Sequence, residues 1–315
     1  MTVTVIIPTY RRPQELARCL AALKRQTRPA DAVIVTVRDT DAETWAFLDA
    51  FDHEPLPLRT VTVRVTGVVA AMNAGLEDAQ GDIIAFTDDD AAPHADWLER
   101  IEAHFRADDG LGGVGGRDRM YIAGPPVAGE SKVVGRLQWF GRMRGFHHLG
   151  TGAAREVDIL KGVNMSFRRA AIDALHFDEH MRGAGAQVHF EVAFCLALKR
   201  RGWRLVYDPA VLVDHYPAPR FDEDQRAGFN ATAFANAVHN ETVALLDHLS
   251  PLRRVVFYGW AFLVGTRKAF GIVQWLRFLP GEGTLAGQKW RASIHGRRQG
   301  RRTWRQRKRE RGGLS

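Results

Sequence analysis

Two cysteines in 315 residues, Cys19 and Cys195, are too few for a disulfide framework or a cysteine-rich zinc cluster. Each lies in an apolar helical pattern, so two buried thiols in a reducing compartment are expected. The N-terminus has no basic stretch followed by an apolar core, the mark of a secretory signal; it enters a strand directly. No uncharged apolar run reaches the ~18 residues that a spanning helix requires. The most apolar segment, Val255 to Leu279, is broken by Arg267-Lys268. A glycine- and lysine-rich triphosphate loop is also missing after the first strand, where Pro8-Thr9-Tyr10 stands instead.

What is present is a globular composition with an uneven charge. The net charge is +8, with 45% hydrophobic and 25% charged residues. From Lys289 to Arg311 there are eleven Lys/Arg and one Glu, a net of +10, and residues 251 to 288 add +4, which leaves −6 for the first 250 residues. An acidic body with a basic tail favours a soluble catalytic unit carrying a charged attachment segment over a nucleic-acid enzyme. Only Trp304 interleaves the tail arginines, so no nucleic-acid partner is expected.

The chain is organised around Ile83-Ile84-Ala85-Phe86-Thr87-Asp88-Asp89-Asp90. The apolar run reads as a strand buried on both faces, and in open α/β sheets ligands bind at the carboxyl ends of such strands. Three adjacent carboxylates repel one another unless water or a cation neutralises them, and oxygen-only ligands suit Mg²⁺ or Mn²⁺. The alternative is that they cap and charge the next helix, marked by Trp97, Leu98, Ile101 and Phe105. Strands starting near residues 3, 33, 61 and 83, with helices between them, give a βαβ rhythm and predict a parallel sheet. Pro13 opens a helix with Leu16, Cys19, Leu20 and Leu23 on one face.

Beyond Phe105 the pattern loosens. Gly112-Gly113-Val114-Gly115-Gly116 has no strong strand before it and no clear helix after it, so a strand flanked by turns is expected rather than a phosphate loop. Order returns at Val157 to Leu160, a later helix stops at Gly202, and short strands are expected at Arg204 to Tyr207 and Val211 to Val213. Helical spacing runs from Arg226 to Leu249.

Over residues 2 to 217 the sequence resembles a family 2 glycosyltransferase of the GT-A fold. The resemblance lies in ordered segments: Val5 to Arg12, Leu20 to Gln26, Ala71 to Leu76, Gly81 to Asp90 with its DXD-type triplet, and Lys161 to Arg169. It implies a Rossmann-like, mostly parallel sheet with helices on both faces. It also implies transfer of a sugar from a nucleotide-diphosphate donor to a hydroxyl, with inversion and with Mg²⁺ or Mn²⁺. On that resemblance Pro8, Thr9, Tyr10, Arg12, Asn73, Asp88 and Asp89 would face the nucleotide sugar. Asp90 and His215 would hold the metal, Lys161, Gly162 and Asn164 would face the acceptor, and Glu191 would be the base. Arg38 stands where the family commonly has an acid for the nucleobase, so Asp39 takes that role, with Asp41 near it; Met72 replaces an Arg of the third-helix motif.

The expected organisation is a catalytic domain over 1–220 (nucleotide half 1–110, acceptor half 111–220), a helical interfacial segment over 221–288 and a disordered basic tail over 289–315. Two short helices with aromatics at headgroup depth, and a tail on anionic lipid, would place the enzyme at the cytoplasmic face of the membrane. The acceptor would then be a lipid-linked or cell-surface glycan precursor. Two other readings stand beside this one: a nucleotidyltransferase making the activated sugar, and a catalytically silent sugar-nucleotide or membrane-binding scaffold.

Overall fold

A computed structural model describes residues 1–221 and 228–312. The chain divides into two compact units, the first formed by residues 1–136, 144–177 and 194–218, the second by 137–143, 178–193 and 219–315.

The first unit alternates strands and helices, as the βαβ rhythm required. In order come β1 (Val3–Thr9), α1 (Pro13–Lys24), β2 (Ala32–Arg38), α2 (Ala42–Ala50), β3 (Leu58–Val63) and α3 (Val68–Asp78). There follow β4 (Ile83–Thr87), β5 (Ala91–Pro93), α4 (Trp97–Ala107) and β6 (Leu111–Met120). A small ribbon, β7 (Arg136–Leu137) with β8 (Met143–Arg144), marks where the chain leaves the unit and returns. Then come β9 (Arg155–Val157), β10 (Asn164–Arg168), α5 (Arg169–Ile172), α6 (Phe190–Arg200), which enters this unit at Phe194, and β11 (Arg204–His215).

The nine-stranded sheet has the order β3-β2-β1-β4-β10-β6-β11-β5, with β9 on β11. Pairing is parallel from β3 to β4 and between β6 and β11; β10 is inserted antiparallel, and β5 and β9 also run antiparallel to β11. β4 sits between β1 and β10 with every residue buried, which explains its unbroken apolar run. Val3, Val5 and Ile7 of β1 join Leu16, Leu20, Ile101 and Phe105 in one core, while α3 covers Ile6 on the opposite face. A Cβ on Gly75 would stand 2.6 Å from Ile6 Cγ2, so only glycine lets α3 approach this closely.

The glycine run is a strand, but an interior one that continues to Met120. A Cβ on Gly113 would reach Leu205 and Phe167 within about 3 Å, and one on Gly116 would overlap the Val211 carbonyl. The glycines therefore serve close backbone packing. The two short strands expected over 204–213 are one, β11, with a register shift against β6 between Asp208 and Leu212 that absorbs Pro209. β3 starts at Leu58, ahead of the start expected near residue 61, and Val65 is exposed beyond its end.

Asn73, expected at the donor, has a different partner. It is buried on α3, its Oδ1 accepting from the Phe177 N–H at 2.8 Å and its Nδ2 donating to the Phe177 carbonyl at 3.0 Å. Phe177 packs in turn on Phe86 and stacks on Phe194 at 4.2 Å.

The second unit contains α7 (Ala231–His248), α8 (Pro251–Leu263), a hairpin of β12 (Gly265–Thr266) and β13 (Ala269–Phe270), α9 (Ile272–Glu282) and α10 (Thr284–Gly312). The expected helix start at Arg226 lies outside the described residues. The two short helices are present as α8 and α9, with Arg267-Lys268 forming the exposed hairpin tip. The basic tail is helical through residue 312, not disordered; residues 313–315 lie outside the described residues. Gly296 and Gly300 of α10 meet the α7 backbone at Ala235 and His239, which lets the helices close. Arg297 reaches Glu241 at 2.6 Å, and Arg307 reaches Asp178 and Asp247 at 2.7 and 2.8 Å.

Asn73→Ala orphans two buried peptide groups, and the expected cost is about 2–3 kcal/mol, read as a lower urea midpoint at unchanged slope. Nucleotide affinity of the folded fraction should be unchanged; a variant of full stability with weakened nucleotide binding would return Asn73 to the donor site.

Candidate functional site

β4 ends at Thr87, Asp88 follows, and the backbone turns at once into β5, whose Ala91 pairs with His215 at the end of β11. The Tyr216 N–H donates to the Asp90 carbonyl at 2.9 Å and the Ala218 N–H to Asp90 Oδ2 at 2.9 Å, so the two segments are tied at their ends. That pairing brings together Asp88, Asp90 and His215, each offering a ligand atom within 4.8 Å of the others. His215 Nε2 stands 3.4 Å from Asp90 Oδ1.

The next layer is cationic. The Arg12 guanidinium, just after β1, donates to Asp89 Oδ1 at 2.9 Å and lies 3.7 Å from Asp90. Asp89 is buried, and this ion pair takes its nearer oxygen. On the far side His215 Nδ1 lies 3.4 Å from Asp118 Oδ2, and Lys161 Nζ donates to the same oxygen. Asp118 is fully buried near the end of β6, opposite Val213 of β11. Asp118 was not among the residues expected at the site. The only local signal was an acid between Arg117 and Arg119 just past the glycine run.

Burial opposes a charge on His215, yet its contacts to Asp118 and Asp90 raise its pKa to about 9. Burial likewise opposes ionisation of Asp90 and Asp118, and His215 with its neighbours holds both at about 2. Asp88 is pushed up, by burial first and then by Asp90. Asp90 Oδ1 and Asp118 Oδ1 are buried and accept no hydrogen bond. The carboxylate oxygens of Asp88 and Asp90 beside an imidazole fit a hard divalent cation, which takes oxygen ligands and tolerates one nitrogen.

The remaining expected residues divide. Pro8 and Thr9 end β1 and Tyr10 follows, with the Arg38 guanidinium over its ring at 5.8 Å. Asp39, at the end of β2, keeps a largely exposed carboxylate, while its N–H donates to Val63. Asp41 is committed to structure: it caps α2 through Thr44 and accepts from the Arg11 N–H at 2.5 Å. Lys161 faces Asp118, as described, and Gly162 beside it is buried. Asn164, expected at the acceptor, is buried on β10, where it accepts from the Trp97 indole at 2.9 Å and donates to the Val211 carbonyl at 2.8 Å. Its amide is thus spent inside the fold. Glu191 belongs to the second unit and lies in the first turn of α6.

The sequence matches the Glycosyl transferase family 2 across residues 4–174. The chain belongs to that family. The chain is 35% identical over 104 residues to the Glycosyltransferase AglE of Haloferax volcanii, a match covering 31% of this chain and 33% of that protein. It is 34% identical over 96 residues to the Succinoglycan biosynthesis protein ExoM of Rhizobium meliloti, covering 30% of this chain and 31% of that one. The aligned region thus spans about a third of these curated relatives.

Among solved structures, the fold resembles S. aureus TarS 1-349 in complex with UDP-GlcNAc, with a TM-score of 0.59 and 15% identity over 97% of this chain and 92% of that one. It also resembles the mannosyltransferase PcManGT from Pyrobaculum calidifontis in complex with GDP-Man and Mn²⁺, with a TM-score of 0.57 and 17% identity over 93% and 85% of the two chains. At these identities the likeness establishes the GT-A fold.

A raised His215 pKa ties stability to pH in the metal-free protein. The proton on His215 binds more tightly folded than unfolded, so the gain is full below pH 6.5 and is lost as pH rises through about 9. Thermal melts in EDTA between pH 6 and 10 should show wild type losing on the order of 1–3 kcal/mol relative to His215→Ala. Parallel profiles for the two proteins would show His215 to be neutral throughout.

Proposed function

We propose that this glycosyltransferase moves a sugar from a nucleotide-diphosphate donor to a hydroxyl of a glycan or lipid-linked acceptor, with a divalent cation held by Asp88, Asp90 and His215. The observation that carries the reading is that carboxylate–imidazole cluster at the end of β4. When bound, Mg²⁺ or Mn²⁺ would neutralise charge on the departing diphosphate. The chain's own residues do the rest. Arg12 holds Asp89 in place, Asp118 orients His215, and Lys161 balances Asp118. Holding the metal requires the neutral imidazole, so loading the site displaces a proton from His215.

In the reaction the acceptor oxygen forms a bond to the anomeric carbon as the bond to the diphosphate oxygen breaks. The leaving nucleoside diphosphate keeps that electron pair, and the acceptor proton passes to the Glu191 carboxylate. One such displacement inverts the anomeric centre. The donor complexes of the structural neighbours, with UDP-GlcNAc and with GDP-Man and Mn²⁺, support a nucleotide-sugar donor and Mn²⁺. The naming of one relative for succinoglycan biosynthesis supports a polysaccharide product.

With labelled UDP- and GDP-sugars and Mn²⁺, Asp90→Ala and Glu191→Gln should each lower turnover by about 10²–10⁴-fold. Asp90→Ala should also abolish stimulation by Mn²⁺, whereas Glu191→Gln should keep donor affinity. Near-normal turnover by Glu191→Gln removes it as the base. A wild type that binds donor without ever releasing nucleoside diphosphate removes the transfer reaction itself.

The same reading includes attachment to the inner face of the membrane. No helix among the described residues is long and apolar enough to cross one. Instead Leu252, Val255, Phe262 and Leu263 of α8, and Val273, Leu276 and Leu279 of α9, are exposed at helical spacing. The Arg267-Lys268 hairpin tip between those helices supplies the charge that suits an anionic leaflet. Vesicle flotation should show Val255→Glu/Leu276→Glu partitioning at least tenfold less onto anionic vesicles at unchanged melting temperature. Equal partitioning of the double variant would remove this surface from the reading.

A further inference from the structure

The second unit holds a cavity of about 410 Å³ that shares no residue with the carboxylate cluster. It opens where α7 and α10 meet, over a floor of small residues, Ala235, Ala292 and Gly296. Its charged walls are Arg182 and Arg291, with His239 and His295 beside them; no carboxylate lines it among the described residues. Gln288, Gln299 and the Thr232 hydroxyl add neutral hydrogen-bonding groups.

The missing carboxylate follows a pattern in the unit. Glu241 is given to Arg297, Asp178 and Asp247 to Arg307, and Glu282 to Lys289. The arginines of the cavity have no such partner among the described residues. Arg182 Nη1 instead donates to the neutral Gln299 Oε1 at 2.7 Å, which fixes the guanidinium without neutralising it.

Its backbone is fixed as well. Asn240, fully buried, accepts from the Arg182 N–H at 2.8 Å and donates to the Arg182 carbonyl at 2.9 Å. The adjacent His239 is kept neutral by burial and engages Asn240 and the Thr303 hydroxyl, each at 2.9 Å. It forms a rigid wall, and the positive charge comes from the arginines. The Arg182 guanidinium, held by Gln299 and unneutralised, loses little on binding an anion, exposed Arg291 adds a second charge, and the guanidinium fork matches phosphate oxygens. The volume exceeds a bare phosphate and leaves room for a glycerol- or sugar-sized body beside the amides.

We propose that this cavity binds a phosphate ester, with Arg182 and Arg291 gripping the phosphate. The proposal stands without the transfer reaction, and its test excludes the carboxylate cluster. Glycerol 3-phosphate is titrated calorimetrically into the full chain in EDTA, so no metal can recruit it to Asp88, Asp90 and His215. The expected result is saturable binding, weakened at least tenfold by Arg182→Gln and by Arg291→Gln and unchanged by Arg298→Gln, an exposed arginine of α10 outside the cavity. Arg291 is exposed, so that variant keeps the fold and a loss in it reads as a lost contact. Absence of saturable binding, or equal affinity in both cavity variants, overturns the proposal. Dihexanoyl phosphatidic acid in the same titration assigns the source. Tighter, Arg182-dependent binding of the lipid marks a headgroup site, and its exclusion while glycerol 3-phosphate binds marks a water-soluble phosphate.

Discussion

Buried negative charge is the constraint from which the catalytic unit follows. Asp89, Asp90 and Asp118 are almost removed from water, and a buried carboxylate without a partner costs far more than one domain can spare. Arg12, His215 and Lys161 supply the opposing charge, and each arrives from a different part of the chain. The sheet order does this. Parallel pairing of β6 with β11 sets Asp118 near His215, and antiparallel pairing of β5 with β11 sets His215 near Asp90. Hydrogen bonding is incomplete even so: Asp118 Oδ1 accepts none, and Asp90 Oδ1 has only the His215 imidazole at 3.4 Å. A site neutralised completely by its own side chains would have no reason to hold a cation.

The elements that could be read from sequence are those whose signal is local. β4 matches its expected bounds because a strand covered on both faces must be apolar throughout, and its acids follow directly. The helical periods of α1 and α3, and the break between α8 and α9 at Arg267-Lys268, are likewise set by neighbours along the chain. Asp118 was illegible for the opposite reason. Its meaning depends on β11, nearly a hundred residues later, and its own surroundings read as a glycine-rich connection. The antiparallel course of β10 was hidden too, since strand direction leaves no mark on a five-residue strand.

Two asparagines expected to face substrates show a second limit. Asn73 and Asn164 stand in the segments that resemble the family, and a polar residue in such a segment invites a ligand. Both are instead buried and saturated by groups that the fold would otherwise leave unpaired: the peptide at Phe177, the Trp97 indole and the Val211 carbonyl. An asparagine that satisfies buried peptides and one that faces a substrate are the same letter. Only the inventory of nearby donors and acceptors separates them, and that inventory is three-dimensional.

The basic C-terminal segment makes the same point with charge. Eleven Lys/Arg between Lys289 and Arg311 describe a solvated tail if the sequence is read as composition. Placed on a helix, Gly296 and Gly300 form a face that admits the α7 backbone, and Arg297 and Arg307 are carried inward to carboxylates waiting for them. Isolated surface pairs would contribute little, but Arg297 and Glu241 are both buried, and removing either leaves a stranded charge. The helix is therefore held by its charges as much as by its packing. In the second unit inward-facing charges are paired, and a remainder of one sign, Arg182 and Arg291, lines a cavity. Ordering and desolvation of that remainder have already been met by folding, so a counter-ion or anionic ligand binds there at less cost than on an open surface.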